Sequence, residues 1–268
     1  MSISKSVTSL GVGALLDDGL IESVHQPIQD FLPEWRGHKD GRAAITFRHL
    51  LSHTSGLPAE KILRNDCSSA AIAQMPLLRV PGSEFYYSSN GTDLLGLLIA
   101  RATGECLEDY LQRRLLGPLS IQGTWVHPFA GGGLALRPTE LARLGQLVVQ
   151  GGVWDGAPLV SPAWITQSMR PSQPFVPSYG FSWWREAPGL FSARGWMGQQ
   201  LLIAPAEQVV AVRMRHVSGA SAPRYHHYPE FHSDVMAFTS ALERRPLPHI
   251  QNLRASAQGG IPGYDGFD

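Results

Sequence analysis

The chain is poor in several features that would have assigned it to a class at once. Only two of its 268 residues are cysteines, Cys67 and Cys106, too few for a disulfide framework or a four-cysteine zinc site. Both read as buried or half-buried thiols. There is no net charge: 22 Lys and Arg offset 22 Asp and Glu, and the pI is near 7.2, so no electrostatic footprint for nucleic acid or an anionic membrane exists. No apolar run reaches the length of a membrane span. The opening residues Met1 to Lys5 lack the apolar stretch of a secretory signal, so a cytoplasmic location is expected. Lysine is scarce too, with Lys5, Lys39 and Lys61 against a background of arginine. A lysine in a chemically suggestive place therefore carries weight. What is present is ordinary for a globular protein: 43% apolar residues and a length that suits one sizeable core. The expected partner is a small molecule, and the oligomeric state is left open.

The hydrophobic periodicity predicts helices early and strands late. Val7, Leu10, Ala14 and Leu15 recur at helical spacing, with Ser2 to Ser4 as the capping turn and Asp17-Asp18-Gly19 as the stop. Further helices are expected over 46–51, 68–75, 92–103, 107–115, 138–150, 162–169 and 231–243, and residues 27–44 read as a surface loop. Four short segments, 179–185, 190–194, 199–204 and 208–214, read as strands, the last two joined as an antiparallel hairpin through Ala204-Pro205-Ala206-Glu207. The expected fold class is mixed α/β, of the α+β type, with a predominantly antiparallel sheet flanked by helices. Residues 1–245 form the domain, a helical subdomain over about 45–135 is inserted in it, and 246–268 is an irregular tail.

Three stretches carry possible chemistry. Ser2-Ile3-Ser4-Lys5 spaces a hydroxyl and an amine one helical turn apart on one face. A serine needs a base to become a nucleophile, and a lysine with a lowered pKa can be that base. The competing reading is a capping serine followed by a solvated lysine. The second stretch, Pro81 to Asn90, ends in Tyr86-Tyr87-Ser88-Ser89-Asn90 before a helix. A tyrosine beside small hydroxyl residues can relay a proton, or simply pack its ring. The third, Ala193-Arg194-Gly195-Trp196-Met197-Gly198-Gln199, lies between two strands. Its glycines either make a hairpin turn or let a ligand approach the strand backbone, whose N–H could hold an oxyanion.

Taken together, S-x-x-K, then Y-x-(S/N), then a late glycine-bearing strand, resembles the serine β-lactamase and penicillin-binding-protein superfamily. Pro33-Glu34, the run Thr46 to Leu57, Pro81-Gly82, Asp93-Leu94-Leu95-Gly96, Ala102-Thr103-Gly104 and Leu141 to Gln146 share in the likeness, which covers about residues 2–243. Gly131-Gly132-Gly133-Leu134 and Arg194 to Gln199 make it more similar to class C-type esterases and 6-aminohexanoate-dimer hydrolases than to true β-lactamases. The resemblance implies a β-lactamase/transpeptidase-like fold and a serine hydrolase for small carboxylic esters or linear amides. Ser2 would be acylated, Lys5 would be its base or activating cation, and Tyr87 would move protons to the leaving group. The N–H groups of Ser2 and Trp196 would form the oxyanion hole. Ser89, Arg194, Gly195 and Gly198 would line the substrate site, without metal or organic cofactor. The alternatives are a catalytically impaired or ligand-binding member of the fold, or a D-aminoacyl or D,D-peptidase.

Three departures from the family pattern bear on these roles. Aligned on Pro81-Gly82 and Asp93, Ser89 stands where an asparagine is usual, with Asn90 one later. Ala193-Arg194-Gly195 occupies the place of K-T-G, or Trp196-Met197-Gly198 in another register, so the usual lysine is missing and antibiotic hydrolysis is less expected. The family also carries a helix and strands before its nucleophile, and this sequence starts at it. Weak or no activity is the expectation for the 268 residues as given. Of the remaining histidines, His49 and His53 stand at i and i+4 but lack the H-E-x-x-H glutamate. The His226, His227 and His232 cluster reads as loop packing rather than a metal site. Trp183-Trp184 is expected to pack the sheet rather than to line an acyl pocket, and Lys39 and Lys61 to be solvated.

Overall fold

A computed structural model describes residues 1–59, 69–126, 130–215 and 229–243. Lys61, Cys67, His226, His227 and the expected tail lie outside these residues. The first element, α1 (Ile3–Asp17), is buried on every side from Ile3 to Leu15. A helix buried all round needs partners for its polar side chains, and each hydroxyl here has one. Ser4 Oγ accepts from the Leu134 N–H. Ser6 and Ser9 donate to the carbonyls of Ser182 and Phe181, and Thr8 donates to that of Ala130. These bonds tie the central helix to two loops that later prove to border the same site.

Three short 3-10 turns occupy the expected loop at 27–44, and α2 (Phe47–Leu51) follows, capped by Thr46. Next come α3 (Ser69–Gln74), α4 (Ser89–Thr103), α5 (Leu107–Leu111), a π-helical turn over Gln112–Leu116, and the two-residue strands β1 (Thr124–Trp125) and β2 (Leu134–Ala135). Helix α4 starts one turn earlier than its apolar pattern suggests. Ser88 Oγ accepts from the Gly91 N–H and caps it there, and Gly104 ends it in the left-handed conformation. Then α6 (Pro138–Val149), β3 (Val153–Trp154), β4 (Ala157–Pro158) and α7 (Pro162–Ser168) lead to the main sheet.

That sheet holds β5 (Trp184–Ala187), β6 (Leu190–Gly195), β7 (Gln199–Ala204) and β8 (Val209–Arg213), antiparallel and in sequence order. The strand expected over 179–185 is shorter than its aromatic run. Tyr179 pairs back onto Trp184 through a single bridge, and Ser182, at φ 65°, turns the chain between them. Alternation divides the sheet. Ala193, Leu201 and Ile203 face the main core with α1 and α6, while Leu190, Leu202, Ala204 and Val209 pack with Val235 of α8 (Pro229–Glu243). The fold is the mixed, antiparallel-sheet architecture expected from the sequence. Cys106 departs from expectation: it is exposed, because it stands at the cap position before α5 rather than on that helix's buried face.

Candidate active site

Lys5 is the centre of the arrangement. Only 1% of it is exposed, yet its amine has three oxygen neighbours: Ser2 Oγ at 3.2 Å, Ser89 Oγ at 3.2 Å and the Gly131 carbonyl at 2.8 Å. The carbonyl can only accept, so Lys5 donates there. The two hydroxyls can donate or accept, which lets the set satisfy an ammonium or a neutral amine with its lone pair toward Ser2. Ser2 stands at the cap position of α1 but its hydroxyl makes no capping bond, leaving Oγ to Lys5. The hydroxyl lies at the positive end of a 15-residue helix, which favours developing negative charge.

The remaining neighbours come from three separate segments. Gly131 is held by Asp93 of α4, whose carboxylate accepts its N–H at 2.8 Å. A Cβ at Gly131 would stand 3.1 Å from Asp93 Oδ1 and 3.3 Å from Lys5 Nζ, so any larger residue would press on the two charged groups that glycine lets approach. Tyr87 lies with its ring 5.2 Å from Lys5 Nζ and its hydroxyl toward Ser2. Burial pushes its pKa up to about 12, partly offset by the nearby Ser2 hydroxyl, so at neutral pH Tyr87 is a phenol with a proton to give. Ser89 faces Lys5, whereas the Asn90 amide donates to the Pro58 carbonyl at 2.9 Å.

The glycine-bearing strand end closes the other side. At Gly195 a Cβ would meet those of Gln199 and Met1 at 3.0 and 3.1 Å and Ile3 Cγ1 at 3.3 Å, so the strand passes directly against the residues flanking Ser2. The turn beyond carries Trp196, 51% exposed, and Met197 and Gly198, both at positive φ. The Gly198 carbonyl accepts from Arg213 of β8 at 2.7 Å, which anchors the turn to the sheet.

Arg194 takes a different position. In register with Gln200, it lies on the α8 side of the sheet, where it forms an ion pair with Glu186 and sits 4.8 Å from the Trp184 ring. Burial raises the Glu186 pKa, but hydrogen bonds from Arg194 and Ser192 outweigh it and hold the carboxyl ionised. The pair joins Arg194 to Glu186 rather than to Ser2, Lys5 or Tyr87.

Sequence reasoning ranked a pocket-lining tryptophan second and missed the aromatic wall to which one belongs. Trp184 stacks on Tyr87 with centroids 6.4 Å apart and crosses Tyr179 at 4.7 Å, while His53 lies 4.3 Å from Tyr87. Of the adjacent tryptophans, Trp183 packs in the core as expected and Trp184 faces the site. The Y-x-(S/N) pattern marks Tyr87, but nothing local marks its contacts with residues 34 and 97 positions away. His49 supplies a ring nitrogen that accepts from the Thr46 N–H and completes the α2 cap. The described residues hold no cluster of three or more His, Cys, Asp and Glu side chains suited to a metal, and no helix among them is long and apolar enough to cross a membrane.

The sequence pattern of the family described as Beta-lactamase matches residues 1–228. A 6-aminohexanoate-dimer hydrolase of Paenarthrobacter ureafaciens is 28% identical over 255 residues, covering 80% of this chain and 64% of its own. Monacolin J acid methylbutanoyltransferase of Aspergillus terreus is 31% identical over 169 residues, 53% of this chain and 39% of its own. The chain thus spans less than two thirds of the length of these curated relatives. Among solved structures, a candidate beta-lactamase from Bacteroides dorei DSM 17855 superposes with a TM-score of 0.76 at 20% identity, over 89% of this chain and 84% of that one. EstCE1, a hydrolase with promiscuous acyltransferase activity, gives 0.64 at 18% identity, over 79% and 77%. At these identities the structures share the fold.

Proposed function

The chain belongs to the beta-lactamase family, whose members are generally serine hydrolases, and from that premise we propose that it cleaves small carboxylic esters or linear amides through an acyl-serine on Ser2. The observation that carries this reading is the Lys5 amine, buried and placed 3.2 Å from both Ser2 Oγ and Ser89 Oγ.

In the first step Lys5 takes the Ser2 proton and Oγ adds to the substrate carbonyl carbon. The N–H groups of Ser2 and Trp196 would hold the oxyanion, a role supported by the passage of Gly195 against Met1 and Ile3, on either side of Ser2. Tyr87, a phenol at neutral pH, gives its proton to the departing alcohol or amine and is restored from Lys5, whose amine lies over its ring. The carbonyl re-forms as the acyl-serine. Water then adds to it, its proton returns through the same groups, and Ser2 is released with a carboxylic acid. Neither half-reaction calls on a metal or an organic cofactor.

Arg194 bears on substrate choice. Glu186 neutralises it on the α8 side, so neutral acyl groups suit the site better than the free carboxylate of a D,D-peptidase substrate. Incubation with a fluorophosphonate followed by peptide mass mapping tests the proposal. An adduct on Ser2, formed far more slowly in Lys5→Met, supports it. Labelling elsewhere, or none at all, refutes it.

A further inference from the structure

We propose that His53 is a positioning residue for Tyr87, holding the two backbone amides that flank it and giving its ring a wall to rest on. This rests on the assignment of Tyr87 as the proton donor, and it gives a role to a histidine whose sequence context invited only a metal reading.

The geometry begins with the end of α2. His53 follows that helix in the left-handed conformation, at φ 55°, which turns its carbonyl and its side chain toward the same neighbouring segment. The carbonyl accepts from the Tyr86 N–H at 2.7 Å, and Nδ1 accepts from the Ser88 N–H at 3.3 Å. Residues 86 and 88 are thereby fixed on either side of Tyr87. The imidazole lies 4.3 Å from the Tyr87 ring, tilted by 40°, and also contacts Phe85 at 5.9 Å and Tyr179 at 5.3 Å. A ring so enclosed, 1% exposed, leaves the phenol little freedom to swing away from Ser2.

The same geometry argues against a proton-transfer role. With Nδ1 accepting, the ring proton belongs on Nε2, which is buried and has no hydrogen-bond partner among the described residues. Among the described residues the groups facing the ring are Lys5, Tyr87, Tyr179 and Phe85, and Lys5 is the charged group that acts on it. Burial first, and the Lys5 charge second, lower its pKa to about 3, so it stays neutral wherever the enzyme would work. A neutral ring fills the space without adding a second cation beside Lys5.

His53→Gly and His53→Asn test the assignment in the full chain. Both accept the left-handed backbone, but only asparagine keeps an acceptor where Nδ1 stands. His53→Gly should slow fluorophosphonate labelling of Ser2 by about tenfold or more, as displacement of a reacting group does. His53→Asn should recover labelling to within about threefold, and in a Tyr87→Phe background His53→Gly should cost less than about twofold more. Equal labelling by wild type and His53→Gly, or penalties that multiply in the double variant, would overturn the role.

Two measurements need no activity. With carbon-13-labelled tyrosine, Tyr87 should titrate near 12 in wild type and His53→Asn, and at least about one unit lower in His53→Gly as water reaches the phenol. In wild type, nitrogen-15 shifts should show the Nε2–H tautomer, uncharged at pH 5. An unmoved Tyr87 titration, or a His53 that charges near 6.5, refutes the inference. A wild-type chain that fails to label at Ser2 counts against the hydrolase reading instead, and leaves these measurements to decide the role of His53.

Discussion

Lowering the pH should destabilise this protein through one buried ring. In the unfolded chain His53 binds a proton at its ordinary pKa of 6.5, whereas the folded protein resists that proton down to about 3. Between these values the unfolded state holds more protons than the folded one. Stability is therefore complete above 6.5, falls as the pH drops below it, and stops falling near 3. The linkage is about 1.4 kcal/mol per pH unit, so at pH 4.5 the contribution is a loss of about 2.7 kcal/mol. That is a large share of the roughly 5–15 kcal/mol typical of a folded domain. Carboxylates titrate in the same range, so the comparison must be with a variant lacking only this group. His53→Asn removes the titration while tolerating the backbone. Urea unfolding of both proteins between pH 7.5 and 4.5 should show wild type losing about 2.7 kcal/mol more than the variant. Curves parallel to within about 0.5 kcal/mol would show that the ring reaches water or a charged partner, and the reasoning would fail.

Other consequences are as specific. Asp93→Asn keeps an oxygen for the Gly131 N–H but gives up its charge, and should slow Ser2 labelling by about tenfold while leaving the fold intact by circular dichroism. Gly195→Ala forces a methyl group into contacts of 3.0–3.3 Å beside Ser2, and should reduce labelling by about a hundredfold with a smaller effect on thermal stability. Arg194→Met takes the guanidinium from the buried Glu186 carboxylate, leaving it Ser192 and His232, and should cost about 3 kcal/mol in denaturant unfolding, part of it recovered by adding Glu186→Gln. Because Tyr87 keeps its proton to about 12, a labelling profile that loses its tyrosine-dependent activity between pH 9 and 10 would contradict the role assigned to it.

Much of this architecture was legible in the residues. Periodicity and stop signals mark α1, α6 and the hairpin of β7 and β8, because those patterns are local. One helical turn explains why Ser2 and Lys5 meet. The start of α4 was harder to read, since Ser88 extends the helix ahead of its apolar stripe. Less of the site could be seen. The direction of Arg194 depends on its register opposite Gln200 and on a carboxylate eight residues away, so its place in the motif reveals nothing of its pairing. Nor does any local signal bring His53, Tyr179 and Trp184 to one phenol. Their contacts exist only once α2 has ended in a left-handed residue and Ser182 has turned the chain before the sheet.

The most direct test of the account is the rate at which a fluorophosphonate modifies the protein, followed by intact mass and located by peptide mapping. The account predicts a single adduct on Ser2, abolished by Ser2→Ala and slowed by about a thousandfold or more in Lys5→Met. An adduct that persists on the Ser2→Ala protein, or labelling indifferent to Lys5, would contradict it.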